Sequence, residues 1–198
     1  MVIEGIHEKK IKKRRVEVLS SHLLGLIPDG SRILDVGCGS GELALALKTA
    51  KPSIEITGID VLVRPGNAIE VAPFDGLHIP DDDASVDIVM FCDVLHHSDD
   101  AEQLLREAVR VTRKSILIKD HTLNGVLAYR RLKFMDQVGN RRFDVGIPCN
   151  YLREAEWREV FARLRLSVAH WIPRLGLYPW PMSLAFDSRL QFIAQVRC

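Results

Sequence analysis

The stretch Ile33-Leu34-Asp35-Val36-Gly37-Cys38-Gly39-Ser40-Gly41 runs an apolar strand directly into three alternate glycines and then into a helical pattern. Glycine lets the backbone turn sharply and lets a ligand approach without meeting a Cβ, and the free N–H groups at the following helix start favour an anionic group. Spacing narrows the ligand. A phosphate-binding Walker loop needs Gly-Lys-Ser/Thr, which is absent, and the dinucleotide fingerprint needs glycine at 42, where Glu42 stands. Nineteen residues beyond Gly41, Asp60 closes the next apolar run. A carboxylate there can accept hydrogen bonds from both hydroxyls of a ribose.

Outward from this loop the chain alternates short apolar runs with helical patterns. Residues 1–30 read as one helix with Val16, Leu19, Leu23 and Leu26 or Ile27 on one face, ended by Pro28-Asp29-Gly30. Strands are expected at Arg32 to Val36, Ile54 to Ile59, Ile69 to Ala72, Val86 to Cys92, Ser115 to Lys119, Leu166 to Ile172 and Leu190 to Val196. Helices are expected at Gly41 to Ala50 and Ala101 to Val111, in a basic segment from Leu123, and around Trp157, Val160, Phe161 and Leu164. The connection through Pro65-Gly66-Asn67 is too short for the usual crossover helix. This rhythm predicts an α/β fold, a mostly parallel sheet with helices on both faces, in one domain divided into residues 1–30, 31–120 and 121–198.

With 198 residues, 47% hydrophobic and 27% charged, the composition is that of a globular fold and excludes disordered and disulfide-scaffold classes. Cys38, Cys92, Cys149 and Cys198 are scattered, so the thiols are expected reduced and no metal site is read from cysteine spacing. Neither an apolar span of about 20 residues nor a secretion core is present, and a cytoplasmic location is the expectation. The net charge of +1 hides an uneven distribution: 6 basic and 4 acidic residues in 1–30, 9 and 16 in 31–120, and 12 and 6 in 121–198. The acidic middle and basic flanks point to different partners.

Five motifs in register resemble the class I S-adenosylmethionine-dependent methyltransferases, specifically the type 11, ubiquinone/menaquinone-methyltransferase-like group. They are Ile33 to Gly41, Gly58-Ile59-Asp60-Val61, Asp75-Gly76-Leu77-His78-Ile79-Pro80, Val86 to Val89 followed by Val94-Leu95-His96-His97, and Glu107 to Val111. The likeness covers residues 31 to about 120. It implies a Rossmann-like three-layer sandwich of seven strands whose last strand is antiparallel, with S-adenosylmethionine as cofactor. By this resemblance Gly37, Cys38 and Gly39 lie against the methionine part and Asp35 supports its ammonium group. Asp60 holds the ribose beside Val61, Asp75 and Gly76 address the adenine, and the Cys92-Asp93 backbone lines the methionine end. Val111-Thr112-Arg113-Lys114-Ser115 departs from the family by lacking the Pro-Gly-Gly turn common there.

A sulfonium methyl is already activated, so the chain chiefly has to place an acceptor lone pair behind it and, where needed, remove a proton. Base candidates are the His96-His97 pair and Asp120-His121, with His97 and His121 the catalytic expectations. Asp93 and Asp120 could belong to an acidic metal cluster, but Asp120-His121 is not the Asp-Asn pair of the catechol methyltransferases. Cys92-Asp93-Val94-Leu95 is unlike the Asn-Pro-Pro-Tyr run of base N-methylation, and Phe91, not proline, precedes Cys92, so nucleic-acid chemistries lose ground. Basic clusters at Lys9, Lys10, Lys12 to Arg15 and at Arg130, Arg131, Lys133, Arg141 and Arg142 leave open an anionic substrate, an anionic membrane surface beside a lipid-like substrate, or RNA. With Trp171, Tyr178, Trp180 and Phe186 as candidate lining, they favour an amphiphilic small-molecule or lipid-like acceptor.

Overall fold

In the computed structural model, which describes residues 2–139, 150–187 and 189–198, strand residues alternate between two cores on opposite faces of one sheet. Leu34, Val36, Val89, Phe91, Ile116 and Ile118 face one core, while Ile33, Ile88, Met90 and Leu117 face the other. Such two-sided apolar runs are what a buried parallel sheet requires.

The elements in order are α1 (Val2–Leu24), β1 (Arg32–Val36), α2 (Glu42–Ala50), β2 (Glu55–Asp60), β3 (Val71–Pro73), β4 (Val86–Cys92), a 3₁₀ turn (Leu95–His97), α3 (Ala101–Val111), β5 (Thr112–His121), α4 (Ala128–Gly139), α5 (Glu154–Arg163), β6 (Ser167–Ile172), α6 (Met182–Phe186) and β7 (Gln191–Arg197). The sheet order is β3-β2-β1-β4-β5-β7-β6. β1 to β5 are mutually parallel, and β7 runs antiparallel to both β5 and β6. The expected mostly parallel seven-stranded sheet with an antiparallel last strand is therefore present. Leu19, Leu23 and Ile27 bring α1 and its exit onto the α2 side, and Trp157, Val160 and Phe161 of α5 join Leu104, Leu105 and Ala108 of α3 on the other.

Three local departures from the sequence expectation matter for the site. First, α1 ends at Leu24, short of the residues 1–30 read as helix, and β3 is Val71–Pro73, where Ile69 to Ala72 was expected. As its brevity leads one to expect, the chain between β2 and β3 forms no helix, and it wraps the glycine loop: the Ala68 N–H donates to the Ser40 carbonyl at 2.8 Å, and Ile69 packs on Gly41. Second, β5 starts directly after α3, where the Thr112 hydroxyl donates to the carbonyls of Asp87 and Ser115 (2.9 and 3.0 Å) and replaces a glycine turn. Third, β5 extends past Lys119 because Asp120 and His121 pair with Phe192 and Gln191 of β7. These two residues are thus held in a strand and not in a loop. The expected Gly146-Ile147-Pro148 loop, Arg141, Arg142, Cys149 and the side chain of Lys9 lie outside the described residues.

Gly37 adopts φ +70°, and a Cβ there would lie 2.5 Å from Val94 Cγ2, so the loop after β1 and the exit of β4 touch because residue 37 has no side chain. Gly37→Ala is expected to lower stability by about 2 kcal/mol or more, from left-handed strain and overlap together. Adding Val94→Ala should recover only the overlap part. Urea unfolding of both variants checks this, and a wild-type midpoint for Gly37→Ala would refute the close approach.

Candidate functional site

The loop after β1 is clamped by Asp60. Its Oδ2 accepts from the Gly39 N–H at 2.7 Å and its Oδ1 from the Leu62 N–H at 2.8 Å. A carboxylate offers about four acceptor positions, so two remain for ligand hydroxyls. Beneath the loop, Asp35 is 2% exposed and its Oδ1 has no hydrogen-bond partner. Burial, and then the charge of Asp60, push its carboxyl up to about 8. A buried carboxyl lacking a partner fits a ligand carrying a cationic group, such as the ammonium of S-adenosylmethionine. The space above Gly39 is open apart from the Arg64 guanidinium, which would sit 3.5 Å from a Cβ at that position. Burial, and then Asp35, push the Cys38 thiol up to about 12, so it stays protonated.

On the adenine side of the resemblance, Val61 is 65% exposed, as an apolar wall awaiting a ligand would be. Gly76 lies next to it: a Cβ at Gly76 would come within 3.3 Å of Val61 Cγ1. The exposed Asp75 carboxylate accepts from the His78 and Leu77 N–H groups at 2.7 and 2.8 Å and meets the His78 ring at 2.8 Å. The His78 N–H and ring, and then the Leu77 N–H, hold it down to about 2.

At the exit of β4, Asp93 takes φ +59°, and its N–H donates to the Lys119 carbonyl at 2.9 Å. That N–H is therefore engaged within the sheet rim. Its carboxylate pairs with Arg15 of α1 and with fully buried Lys119 of β5. Burial pushes the Asp93 carboxyl up, but Arg15 and then Lys119 more than reverse this and hold it well below the ordinary range. Burial also keeps the Cys92 thiol well above its usual value.

Beside this pair stands a cluster the sequence did not assemble. His96, 1% exposed, has Nδ1 2.6 Å from Asp120 Oδ1, and Asp120 also accepts from the N–H groups of Leu95 and His121. His121 Nε2 lies 3.5 Å from Asp93 and 3.7 Å from Asp136, and His96 Nε2 lies 3.6 Å from Asp136. The Tyr151 hydroxyl donates to Asp136, and the His96 and His121 ring centroids are 4.6 Å apart. Burial lowers both imidazoles, with opposite net results. At His96 burial is the largest single effect, but the charge and hydrogen bond of Asp120, with Asp136 and Asp93, together outweigh it and take the ring to about 10, whereas Lys119 adds to burial at His121 and takes it to about 3. His121 is therefore neutral at physiological pH.

Of the two expected bases, His121 is in this cluster. His97 is half-exposed in the 3₁₀ turn, 3.8 Å from the His96 ring, and the adjacent His96 occupies the inner position. Arg15, Lys119, Asp136 and Tyr151 were missed. The available signals were weak: Lys119 is a charge within a continuous apolar strand, and Asp136 is the lone acid of a basic helical segment. The first basic cluster is largely committed internally, with Lys12 paired to Glu42, Lys13 to Glu17, Arg15 to Asp93, and Arg14 donating to the Gly176 carbonyl. Trp171 stacks on Phe192 at 4.2 Å against the main core, away from any acceptor lining, whereas Tyr178 packs on Phe186 at 5.6 Å. No helix among the described residues is long and apolar enough to cross a membrane.

The family described as a methyltransferase domain matches residues 34–117. The 27-O-demethylrifamycin SV methyltransferase of Amycolatopsis mediterranei is 32% identical over 48% of this chain and 40% of its own length. The ribosomal RNA small subunit methyltransferase C of a Shewanella strain is 34% identical over 37% of this chain and 24% of its own. The chain thus spans less than half the length of these curated relatives. A solved S-adenosylmethionine-dependent methyltransferase from Aquifex aeolicus superposes with a TM-score of 0.65 at 19% identity, covering 96% of this chain and 97% of that one. It shares the fold.

A proton on Asp35 competes with any cation it meets, because its carboxyl is neutral below about 8. Affinity for S-adenosylhomocysteine, which keeps the ammonium group, should therefore rise from pH 6 towards pH 8, by up to about tenfold per unit. Asp35→Asn should remove that part of the rise. Calorimetric titrations of both proteins check it, and superimposable pH profiles would exclude Asp35 as the cation's partner.

Proposed function

We propose that this chain, which belongs to the class I S-adenosylmethionine-dependent methyltransferases of type 11, methylates a hydroxyl oxygen of a small-molecule acceptor. The observation that carries this reading is the cluster of buried His96, His121 and Tyr151 with half-buried Asp136. It adjoins the glycine loop through Val94, which packs on Gly37 and directly precedes the 3₁₀ turn.

The bound cofactor supplies a methyl group open to in-line displacement from the side opposite sulfur. Gly37, Cys38 and Gly39 hold its methionine end, Asp35 balances the ammonium, Asp60 receives the ribose hydroxyls, and Val61, Asp75 and Gly76 border the adenine. Asp93 keeps the rim rigid through Arg15 and Lys119, so the acceptor side does not shift against the loop. The acceptor hydroxyl points into the cluster, where neutral His121 offers a ring nitrogen to its proton, and His97 stands at the entrance. Deep burial excludes bulk water, which favours an acceptor small enough to enter. The rifamycin relative, named for transfer to an oxygen of a small molecule, supports this choice.

The relative named for ribosomal RNA favours a second reading, an RNA acceptor. The internal pairing of the α1 basic residues weighs against it, because phosphate binding needs cations that are free to displace counterions.

Incubation with methyl-labelled cofactor and either fractionated small-molecule extracts or small-subunit ribosomal RNA decides between them. Label is expected in a base-stable methyl ether, and label in RNA alone would overturn the small-molecule assignment. Asp60→Ala should weaken cofactor binding by about tenfold or more, by losing both ribose acceptors and the loop clamp. Unchanged calorimetric affinity would refute its role. His121→Ala should keep cofactor affinity while turnover falls by about 10²- to 10⁴-fold. Full turnover would remove His121 from the reaction.

A further inference from the structure

The cluster at the ends of β4 and β5 has two properties that methyl transfer alone does not call for. The His96 and His121 side chains are almost wholly buried, and each leaves one ring nitrogen, Nε2 of His96 and Nδ1 of His121, without a hydrogen-bond partner. Buried polar groups are ordinarily satisfied, so the orphaned His96 Nε2, which faces Asp136, calls for a ligand. In addition, one donor atom each from His96, His121 and Asp136 lie within 4.8 Å of one another.

The arrangement around these atoms is that of a coordinating histidine. Asp120 receives His96 Nδ1 at 2.6 Å and is itself fixed by two backbone N–H groups, so Nε2 points towards Asp136 and becomes a ligand once an incoming ion displaces its proton. A carboxylate behind the distal nitrogen is the usual support for a metal-binding imidazole. Asp136 is steadied by the Tyr151 hydroxyl. Two imidazoles and one carboxylate around a tetrahedral ion place neighbouring donors about 3.3 Å apart, given bonds of about 2.0–2.1 Å. At present His96 Nε2 lies 3.6 Å from Asp136 Oδ2 and His121 Nε2 lies 3.7 Å from Asp136 Oδ1, and one donor from each residue falls within 4.8 Å of the others, so an ion would draw the three side chains inward by up to about 1.5 Å.

We propose that His96, His121 and Asp136 bind one divalent transition-metal ion of the zinc class, with its fourth position open to the acceptor. Nitrogen-rich coordination selects such an ion over magnesium or calcium, which prefer oxygen ligands. The inference deepens the proposed methyl transfer and rests on it for the ion's role. In this form of the reaction His121 gives its nitrogen to the ion and not to the proton, and the acceptor hydroxyl loses its proton to a single water at the site entrance as its oxygen meets the cation. A lone pair on that oxygen then forms the new bond to the methyl carbon while the carbon–sulfur bond breaks and its electron pair stays on sulfur. The products are a methyl ether, S-adenosylhomocysteine and one proton.

The test uses the full chain stripped with a chelator and titrated with Zn²⁺ and Co²⁺, read by elemental analysis, calorimetry and the visible bands of the cobalt form. One equivalent is expected in the wild type. His96→Gln and Asp136→Asn should each weaken it by 100-fold or more while still binding S-adenosylhomocysteine. Asp120→Asn, which touches no ion, should weaken it by about 10- to 100-fold through the His96 tautomer. A wild type that takes up no more ion than His96→Gln would overturn the site and leave a protonated His96 bridging Asp120 and Asp136. Methyl transfer on the same preparations separates the two claims. Stoichiometric ion with no label transferred to any fraction sinks the proposed reaction but not the site, whereas transfer indifferent to chelation sinks the ion's part in it.

Discussion

The Asp93 carboxylate, gripped between Arg15 and the buried Lys119, is the interaction on which the rest of the rim depends. A lysine inside a parallel sheet costs several kcal/mol unless its charge is matched, and leaving one partner of such a pair alone is worse than losing both. Asp93 provides that match from the first residue after β4, in a left-handed conformation that turns the chain. Because the second cation comes from α1, the same carboxylate ties the N-terminal helix to the ends of β4 and β5. That end of the sheet is thereby held by an ion pair and not by packing alone.

The charges nearest each ring explain why two adjoining histidines behave oppositely. His96 and His121 suffer the same burial, but His96 faces the Asp120 carboxylate whereas His121 lies under the Lys119 ammonium. One ring is driven to hold a proton and the other to lose it, across ring centroids 4.6 Å apart. Divergent values for two neighbouring titratable groups are a common mark of a working site, since they assign different tasks to like side chains.

The two halves of the site rest on different physics. The loop after β1 is built from backbone groups held by Asp60 and by glycines that admit Val94 and Ile69, so its shape follows from local conformation. The histidine cluster and the ion pair beside it are built from side chains on four separate elements, namely α1, β5, α4 and the turn after β4, together with Tyr151 before α5. Of the α1 basic residues, Arg15 is committed to part-buried Asp93, whereas Lys12 and Lys13 pair with Glu42 and Glu17 at the exposed surface and Arg14 donates to the Gly176 carbonyl.

The sequence by itself determined the alternation of strands and helices, the glycine loop, Asp60 and the order of the sheet's parallel half. Each of these is written within a few residues, by period, by glycine or by a charge ending an apolar run. It also carried the absence of a crossover helix after Asp60, in the brevity of that segment. Only the tertiary structure decided that Asp120 and His121 belong to a strand, because β7 supplies their pairing partners from some 70 residues away. The same holds for which histidine of the His96-His97 pair turns inward, and for the meeting of Asp136 and Tyr151 with it. Those proximities arise from the right-handed stacking of helices over the sheet. No spacing along the chain encodes the distance between side chains on elements that meet only after the core has closed.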